Sequence, residues 1–318
     1  MIKKTTLPLL FITATRLGDA VLSTPVLEHF RNRFPDSPVH IACGSAAAPL
    51  FTAIPNLAAV HVMHKKPFAG HWRTLLCATM PLRWAAVIDL RCSLTPYVLR
   101  TGERWRFEKK PDAPRGKVAM LAHGLGLPAL PAPRLYWSAE DDARAAALIG
   151  DDPRPLLTLA PIANWRGKEW PLERFAALIP HFPGFRVAIC GAPSEREAAQ
   201  PLLTPDVLDC VGTLPLLALA ALFSRTRLFI GNDSGLMHMA AASGAPTLGL
   251  FGPSNHIDFA PVGKHTALVR TPESMAELIS APDYNHHTTG TLMGSLSLES
   301  VVAAAKALYE SSHDAVRN

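Results

Sequence analysis

The residues whose types and spacing most clearly allow chemistry lie between positions 228 and 253, in the stretch LFIGNDSGLMHMAAASGAPTLGLFGP. An apolar run leads into Asp233, Ser234 and Gly235, and a helical pattern follows. Helix N-termini bind anions through free backbone N–H groups and the positive end of the helix dipole, and glycine allows a phosphate to approach closely. His238, one turn into the helix, can point at the same anion. The stretch predicts a diphosphate site, although simple helix capping by Asp233 or Ser234, with His238 packed in an interface, fits the isolated pattern equally well.

A carboxylate near the N-terminus is the second candidate. In ITATRLGDAVLSTPVLEHF, the first apolar run ends in a loop that contains Gly18 and Asp19. Open α/β sheets bind ligands at the carboxyl ends of their strands. Asp19 can accept the proton of a bound hydroxyl there, as glycosyl transfer with inversion requires. A helix N-cap has the same appearance in sequence, and on position alone it is the commoner role.

A third segment, APIANWRGKEWPLERF, places Lys168 in the loop after the first strand of the second half. A lysine in this position can neutralise a departing diphosphate without a metal ion, and Asn164 can add a hydrogen bond to the same group. A solvated surface lysine is the alternative interpretation.

Basic residues are concentrated between Arg100 and Lys117, where we expect an exposed loop. Arg104 and Arg106 from this loop, with Lys65 and Lys66 upstream, could engage phosphates of an acceptor, or could form a solvated basic face. The sequence contains no Walker A loop, complete G-x-G-x-x-G or H-E-x-x-H, so it gives no support to ATPase, NAD-dependent or zinc-protease chemistry.

The elements that must position these residues follow a βαβ rhythm, because short apolar runs alternate with longer helical patterns. The class is α/β with parallel sheets. The predicted strands are Pro8–Thr13, Val39–Ala42, Val60–Met63, Ala85–Leu90, Leu156–Ala160, Arg186–Cys190, Leu228–Ile230 and Thr247–Phe251, with helices at Ala20–Phe34, Ala139–Ile149 and Leu172–Ile179.

A chain of 318 residues exceeds the size at which one core usually stops growing, so two domains are expected. We predict domains at residues 1–150 and 156–295, with the Gly- and Pro-containing segment GDDPRP as the linker. A last helix at 298–312 carries an apolar stripe, formed by Val301, Val302, Ala305 and Leu308, which must dock on another surface.

The composition limits the kinds of function that the protein can have. The net charge of +5 falls short of a nucleic-acid footprint, and 48% hydrophobic with 18% charged residues describes a folded globular protein. The five cysteines lack a C-x-x-C pair and are expected to be reduced thiols of a cytoplasmic protein. The N-terminal apolar run is shorter than a signal peptide requires and reads as a buried strand. No charge-free apolar run is long enough to span a bilayer, so any membrane contact is expected to be peripheral.

Taken in order, R-L-G-D-A near the N-terminus, G-K-E-W-P in the second half, and N-D-S-G-L-M-H followed by G-A-P and L-F-G-P resemble glycosyltransferase family 9, the ADP-heptose:lipopolysaccharide heptosyltransferases. The resemblance extends over nearly the whole chain. It implies a GT-B fold of two facing Rossmann-like domains, an acceptor domain followed by a donor domain, with a C-terminal helix that crosses back to the first domain.

The resemblance also implies roles for particular residues. Asp19 resembles the general base and Lys168 the donor-phosphate lysine. The pyrophosphate-binding loop corresponds to Asp233, Ser234, Gly235 and His238. Glu195, after another strand, could hold ribose hydroxyls, or be a solvated acid at a helix start.

The expected function is inverting, metal-independent transfer of a heptose or similar sugar, without a cofactor. The expected donor is ADP-heptose or another nucleotide sugar, and the acceptor a lipid-linked lipopolysaccharide-core glycan at the inner face of the membrane. Two rivals remain open. A nucleotide-sugar epimerase could use the same scaffold but needs further carboxylates at the sugar, and in a non-catalytic nucleotide-sugar-binding module Asp19 would be only a helix cap.

Overall fold

The computed structural model describes residues 6–280, 285 and 289–317, with side chains described as far as His313. The chain divides into two compact units, Met1–Trp137 and Ser138–Asn318. Each contains one parallel sheet with helices packed against it. The expected α/β class and the two-domain organisation are therefore confirmed.

The first unit has a five-stranded sheet in the order β3-β2-β1-β4-β5, with all pairs parallel. The order reverses between β1 and β4, which is where open α/β sheets bind ligands. Its strands are β1 (Leu9–Ile12), β2 (Val39–Cys43), β3 (Leu57–Val62), β4 (Trp84–Asp89) and β5 (Thr101–Arg106). Its helices are α1 (Leu17–Arg33), α2 (Gly70–Thr79), α3 (Thr95–Val98) and α4 (Lys117–Leu125).

The second unit has a six-stranded parallel sheet in the order β11-β10-β9-β6-β7-β8, whose reversal lies between β6 and β9. Its strands are β6 (Leu156–Ala160), β7 (Arg186–Gly191), β8 (Leu208–Val211), β9 (Thr226–Asn232), β10 (Thr247–Phe251) and β11 (Thr266–Arg270). Its helices are α5 (Ala139–Ile149), α6 (Leu172–Leu178), α7 (Arg196–Ala199), α8 (Leu216–Ser224), α9 (Gly235–Ala242), α10 (Met275–Ile279) and α11 (Leu298–Arg317).

The central strands are buried along their whole length, as β1, β6 and β10 show. Strands covered by helices on both faces read as uninterrupted apolar runs rather than alternating ones. The apolar runs in the sequence therefore predict these strands.

The boundary between the units differs from the predicted one. Helix α5, predicted to end the first domain, packs against α8 of the second unit. The two terminal nitrogens of the Arg225 guanidinium, Nη1 and Nη2, each donate a hydrogen bond of 2.7 Å to the Asp142 carboxylate. This pair of bonds ties the two helices together. The division therefore falls before Ser138, and the GDDPRP segment lies inside the second unit.

The described contacts of the C-terminal helix lie in the second unit, and its packing on the first domain stays a prediction. In α11, Val301, Ala305 and Leu308 belong to the same core cluster as Trp170 and Phe175 of the second unit. The helix contacts α6 and strands β9, β10 and β11. The predicted stripe is real, but it closes the core of its own unit because that sheet face needs a cover.

The basic segment after Arg100 begins with a strand rather than a loop. Residues Thr101–Arg106 form β5 at the edge of the first sheet. Alternating charges on a half-exposed edge strand hide its β character from a search for apolar runs. Among the helices of the described residues, none combines the length and hydropathy that a membrane-spanning segment needs.

Candidate active site

The turn from β9 into α9 contains the residues of the predicted anion site. Ser234 occupies the N-cap position of α9 with an extended backbone, yet its side chain makes no capping hydrogen bond. Its hydroxyl oxygen is buried and has no hydrogen-bond partner among the residues that the structure describes. A buried hydroxyl without a partner costs free energy, so its presence beside the helix N-terminus fits a polar ligand better than a simple cap.

A charged cluster surrounds this helix start. Lys168 Nζ lies 2.6 Å from Asp233 Oδ2, and His238 Nε2 lies 4.0 Å from Asp233 Oδ1. The side chain of Asp233 is 7% exposed and that of Lys168 is 23% exposed. The structure thus brings together Lys168 from the loop after β6 and Asp233 and His238 from the turn and helix after β9.

The geometry assigns different tasks within this cluster. A carboxylate repels a diphosphate, so Asp233 does not suit direct donor contact. It instead holds the Lys168 ammonium in a charge-assisted hydrogen bond. The lysine, the Ser234 hydroxyl and the N–H groups that begin with Gly235 are the groups suited to an anion.

Asn232 is a positioning residue that the sequence reasoning missed. Its side chain is fully buried. The amide oxygen accepts a hydrogen bond from the Trp170 N–H at 3.1 Å, and the amide nitrogen donates to the Pro161 carbonyl at 2.6 Å. The side chain therefore fastens the loop that carries Lys168 to the end of β9. A polar residue at the end of a buried strand was the available signal.

Two further predicted donor residues have less specific placements. Glu195 Oε2 accepts a hydrogen bond from the Ala192 N–H at 2.7 Å, the contact expected of an acid at a helix start. Glu195 follows β7, which adjoins β6. Burial raises the pKa of Glu169, and the negative charge of Glu195 adds to this shift. Asn164 is exposed on the loop after β6.

The carboxylate predicted as the base lies in the first unit, on α1. Arg16 is the N-cap and no side chain caps the helix, so Asp19, the third helical residue, is not a cap. Asp19 Oδ1 lies 3.1 Å from Lys117 Nζ, and both side chains are partly exposed. Gly18 precedes it in the first helical turn.

Asp19 lines a cavity of about 330 Å³ at the carboxyl end of β1. The cavity is lined by both polar and apolar residues, as small-molecule sites usually are. Its apolar wall includes Leu90, Phe107 and Leu121. Its polar lining residues are Thr13, Thr15, Arg16, Asp19, Ser23, Arg91 and Lys117.

Lys117 is the second functional residue that the sequence reasoning did not single out. It opens helix α4 after Gly116, whose φ of 92° favours glycine. A cation at a helix N-terminus opposes the helix dipole, so this position is unfavourable for lysine on local grounds. Its contact with Asp19 supplies a compensating attraction.

The other predicted acceptor residues are not brought to this cavity. The Arg104 guanidinium donates to the Pro96 carbonyl at 3.0 Å, and Arg106 donates to the carbonyls of Ser93 and Cys92. They therefore brace the chain that follows β4. A separate pair, Lys65 and Lys66, is exposed between β3 and α2.

Comparison with known proteins identifies the family. The family model described as glycosyltransferase family 9 (heptosyltransferase) matches residues 100–288. A curated relative, the lipopolysaccharide core heptosyltransferase OpsX of Haemophilus influenzae, is 22% identical over 303 residues, which cover 85% of this chain and 86% of that protein.

Solved structures show the same fold. The ADP-heptose lps heptosyltransferase II of E. coli superposes with a TM-score of 0.77 at 20% identity, covering 96% of this chain and 99% of that chain. A glycosyltransferase of family 9 from Veillonella parvula gives a TM-score of 0.76 at 22% identity, covering 96% and 97%. The two parallel-sheet units thus correspond to the GT-B fold, and the chain belongs to glycosyltransferase family 9, the heptosyltransferase family.

Proposed function

We propose that this enzyme transfers a heptose from ADP-heptose to a hydroxyl of a lipopolysaccharide-core glycan, with inversion at the anomeric carbon. The observation that carries the proposal is the Lys168 ammonium, held by Asp233 beside the N-terminus of α9 and the buried Ser234 hydroxyl. The curated relative is named for the lipopolysaccharide core and the E. coli structure for ADP-heptose, which supports this acceptor and this donor.

The second unit supplies the donor chemistry. As the bond between the anomeric carbon and the diphosphate breaks, negative charge grows on the diphosphate oxygens. Lys168, the Ser234 hydroxyl and the N–H groups at the start of α9 stabilise this charge. Because these donors are preorganised, stabilising the leaving group requires no metal ion.

The first unit supplies the acceptor chemistry. The Asp19 carboxylate accepts the proton of the acceptor hydroxyl as that oxygen attacks the anomeric carbon from the side opposite the diphosphate. Lys117 holds the carboxylate at the cavity wall before the acceptor arrives. The acceptor is a lipid-linked glycan, and we place the reaction at the cytoplasmic face of the inner membrane.

A binding experiment with the nucleotide product tests the donor assignment. Loss of a charge-assisted hydrogen bond costs about 1.5–3 kcal/mol, so Lys168→Ala should weaken ADP binding about tenfold to a hundredfold. Isothermal titration of ADP into wild type and variant measures the change. Lys264→Ala, which removes an exposed lysine of the same unit, is the matched control and should bind ADP normally. Equal affinity of Lys168→Ala and wild type would defeat the assignment.

Nucleotide preference is tested in the same way. Thermal shifts with ADP-, UDP-, GDP- and dTDP-sugars should be largest for the ADP-sugar, because a ligand that binds only the folded state stabilises it in proportion to its affinity. A larger shift with any other nucleotide would contradict the proposed donor.

A further inference from the structure

Large apolar side chains lie exposed together on the first unit, along the connection between β4 and β5. Leu94 is 71% exposed, Tyr97 59% and Val98 50%. Met80 and Leu82, in the turn before β4, are 52% and 36% exposed. Grouped exposure of such residues marks an interaction surface, whereas single exposed ones need no explanation. We call these five residues the apolar strip.

The fold holds the strip in place. Helix α3 packs on β4 and β5. The Arg104 guanidinium donates to the carbonyl of Pro96 in α3, and the Arg106 guanidinium donates to the carbonyl of Ser93 just before α3. Arg100 donates to the Pro81 carbonyl at 3.3 Å, which joins the turn at Met80 and Leu82 to the end of the connection. The strip is therefore a braced part of the unit.

The exposure has a structural reason. A parallel crossover usually uses a dozen or more residues with a full helix, which covers the sheet and hides its own apolar side. Here residues 90–100 connect β4 to β5, and their only helix among the described residues is the single turn Thr95–Val98. This leaves the side chains of Leu94, Tyr97 and Val98 on the outside.

The charges that flank the strip in the sequence are mostly positive. Residues 80–106 contain five arginines and two acids, Asp89 and Glu103. Asp89 is fully buried and accepts hydrogen bonds from the backbone N–H groups of Arg91 and Ser93. Glu103 alternates with Arg104 along β5, so it points to the other face, where it pairs with Arg33 at 2.8 Å. The strip is thus apolar with an arginine rim.

We propose that the apolar strip docks this unit on the surface of a bilayer that contains anionic phospholipids. Aliphatic side chains enter the boundary between headgroups and acyl chains, Tyr97 sits at the headgroup level, and the arginines contact lipid phosphates. A second copy of the chain fits less well, because a two-fold contact would place the same arginines against each other.

The strip lies next to the candidate acceptor cavity in the chain. Leu90 and Arg91, which line the cavity at Asp19, lie in the chain between Leu82 and Leu94 of the strip. Docking at the strip would therefore hold this cavity near the lipid surface. That consequence rests on the proposed function, since it concerns a lipid-linked acceptor; the bilayer contact itself does not.

Vesicle flotation tests the contact. Wild type should float with phosphatidylcholine vesicles that contain phosphatidylglycerol, and high salt should weaken the binding, because each arginine near an anionic surface contributes about 1 kcal/mol, a factor of about five. The triple variant Leu94→Ser, Tyr97→Ser, Val98→Ser should lose at least tenfold in partitioning. The double variant Ile257→Ser, Met275→Ser, which changes exposed apolar residues of the second unit, is the matched control and should float normally.

Two outcomes would overturn the inference. One is a triple variant that floats like wild type, or a wild type that does not bind anionic vesicles. The other is a dimer in sedimentation velocity that the triple variant converts to monomer, which would make the strip a contact between copies. Circular dichroism and thermal unfolding should be unchanged in the triple variant, since the altered side chains are exposed.

An activity measurement separates this inference from the proposed function. The triple variant should transfer sugar normally to a soluble acceptor without acyl chains and more slowly to the same glycan in vesicles. If wild type transfers to neither acceptor, the proposed function fails while flotation still tests the strip. Equal rates of wild type and triple variant on the vesicle acceptor would contradict the docking role.

Discussion

Each unit contains one lysine–carboxylate pair among its candidate site residues, and burial distinguishes the two partners only in the second unit. In the second unit the acid, Asp233, is buried and the lysine, Lys168, reaches solvent. In the first unit Asp19 is partly exposed on the cavity wall beside Lys117. In the second unit the more exposed Lys168 can meet a substrate, and the buried Asp233 orients it. In the first unit Lys117 and Asp19 are similarly exposed, so their proposed roles, positioning cation and base, follow from their chemistry and not from burial.

The role of Lys117 as a positioning residue gives a prediction at this scale. Lys117→Ala should lower kcat about tenfold and leave the KM for the donor unchanged, because it removes an interaction that holds the base and not one that binds the nucleotide. Lys117→Arg should retain most of the activity, since it keeps the positive charge. Steady-state kinetics on folded protein measure both. An Ala variant with normal kcat, or an Arg variant as impaired as Ala, would contradict the role.

At the scale of elements, the predictable part of the fold was the part with uninterrupted apolar runs. Strands β1, β6 and β10 are buried throughout and were located. Strand β5 was missed because TGERWR carries alternating charges at a sheet edge, and β8 was missed because LDCV offers only a short run. Propensity and pattern are weak guides for such strands, whose pairing depends on tertiary context.

The candidate site residues also divide into those that a local sequence pattern predicts and those that it does not. Residues in local motifs, such as Ser234, Gly235 and Asp19, were identified because a strand, a turn and a helix start can be read in a few positions. Asn232 and Lys117 act through partners far away in the sequence. Such long-range contacts leave no local pattern, so only the structure shows them.

The loop that lines the acceptor cavity depends on a close approach at Gly44. A Cβ at this position would lie 2.6 Å from Thr15 Cα, and Thr15 lines the cavity. Gly44→Ala should therefore displace the loop before α1, destabilise the protein by about 1–3 kcal/mol and reduce transfer. Gly184→Ala, where a Cβ meets nothing within 4 Å, is the matched control. Denaturant unfolding checks the comparison, and equal stability of the two variants would contradict it.

A histidine pair between β2 and β3 predicts a pH effect on stability. His40 Nδ1 lies 3.1 Å from His61 Nε2. Burial, and then the neighbouring His61, lower the pKa of His40 to about 4, and burial lowers the pKa of His61. Below the ordinary histidine pKa of about 6.5, the unfolded chain binds protons that the folded chain does not. The folded state therefore loses stability as the pH falls from about 6.5 towards 4.

Thermal unfolding at neutral pH and at about pH 5 measures this effect. His40→Gln should show a smaller drop in Tm between the two conditions than wild type, because one of the groups responsible has been removed. Comparing the drop in Tm between the two pH values, rather than the Tm itself, cancels any packing cost of the substitution. An identical drop in wild type and variant would contradict the assignment.

At the scale of the whole molecule, the proposed function divides one reaction between the two units. The second unit carries the cations and helix start suited to a diphosphate, and the first carries the carboxylate, its cavity and the apolar strip. Each unit places its site where its own strand order reverses, after β6 and β9 in one and after β1 and β4 in the other.

The most direct test of the central claim is transfer itself. Wild type, ADP-heptose and a lipopolysaccharide-core acceptor that lacks the heptose should yield a product heavier by one heptose in mass spectrometry. Asp19→Asn should reduce this rate by about 10²–10⁴-fold, as expected for loss of a general base, and still bind ADP normally. Asp36→Asn, an exposed carboxylate of the same unit, is the matched control. Undiminished transfer by Asp19→Asn, or conversion of ADP-heptose by wild type without any acceptor, would contradict the account.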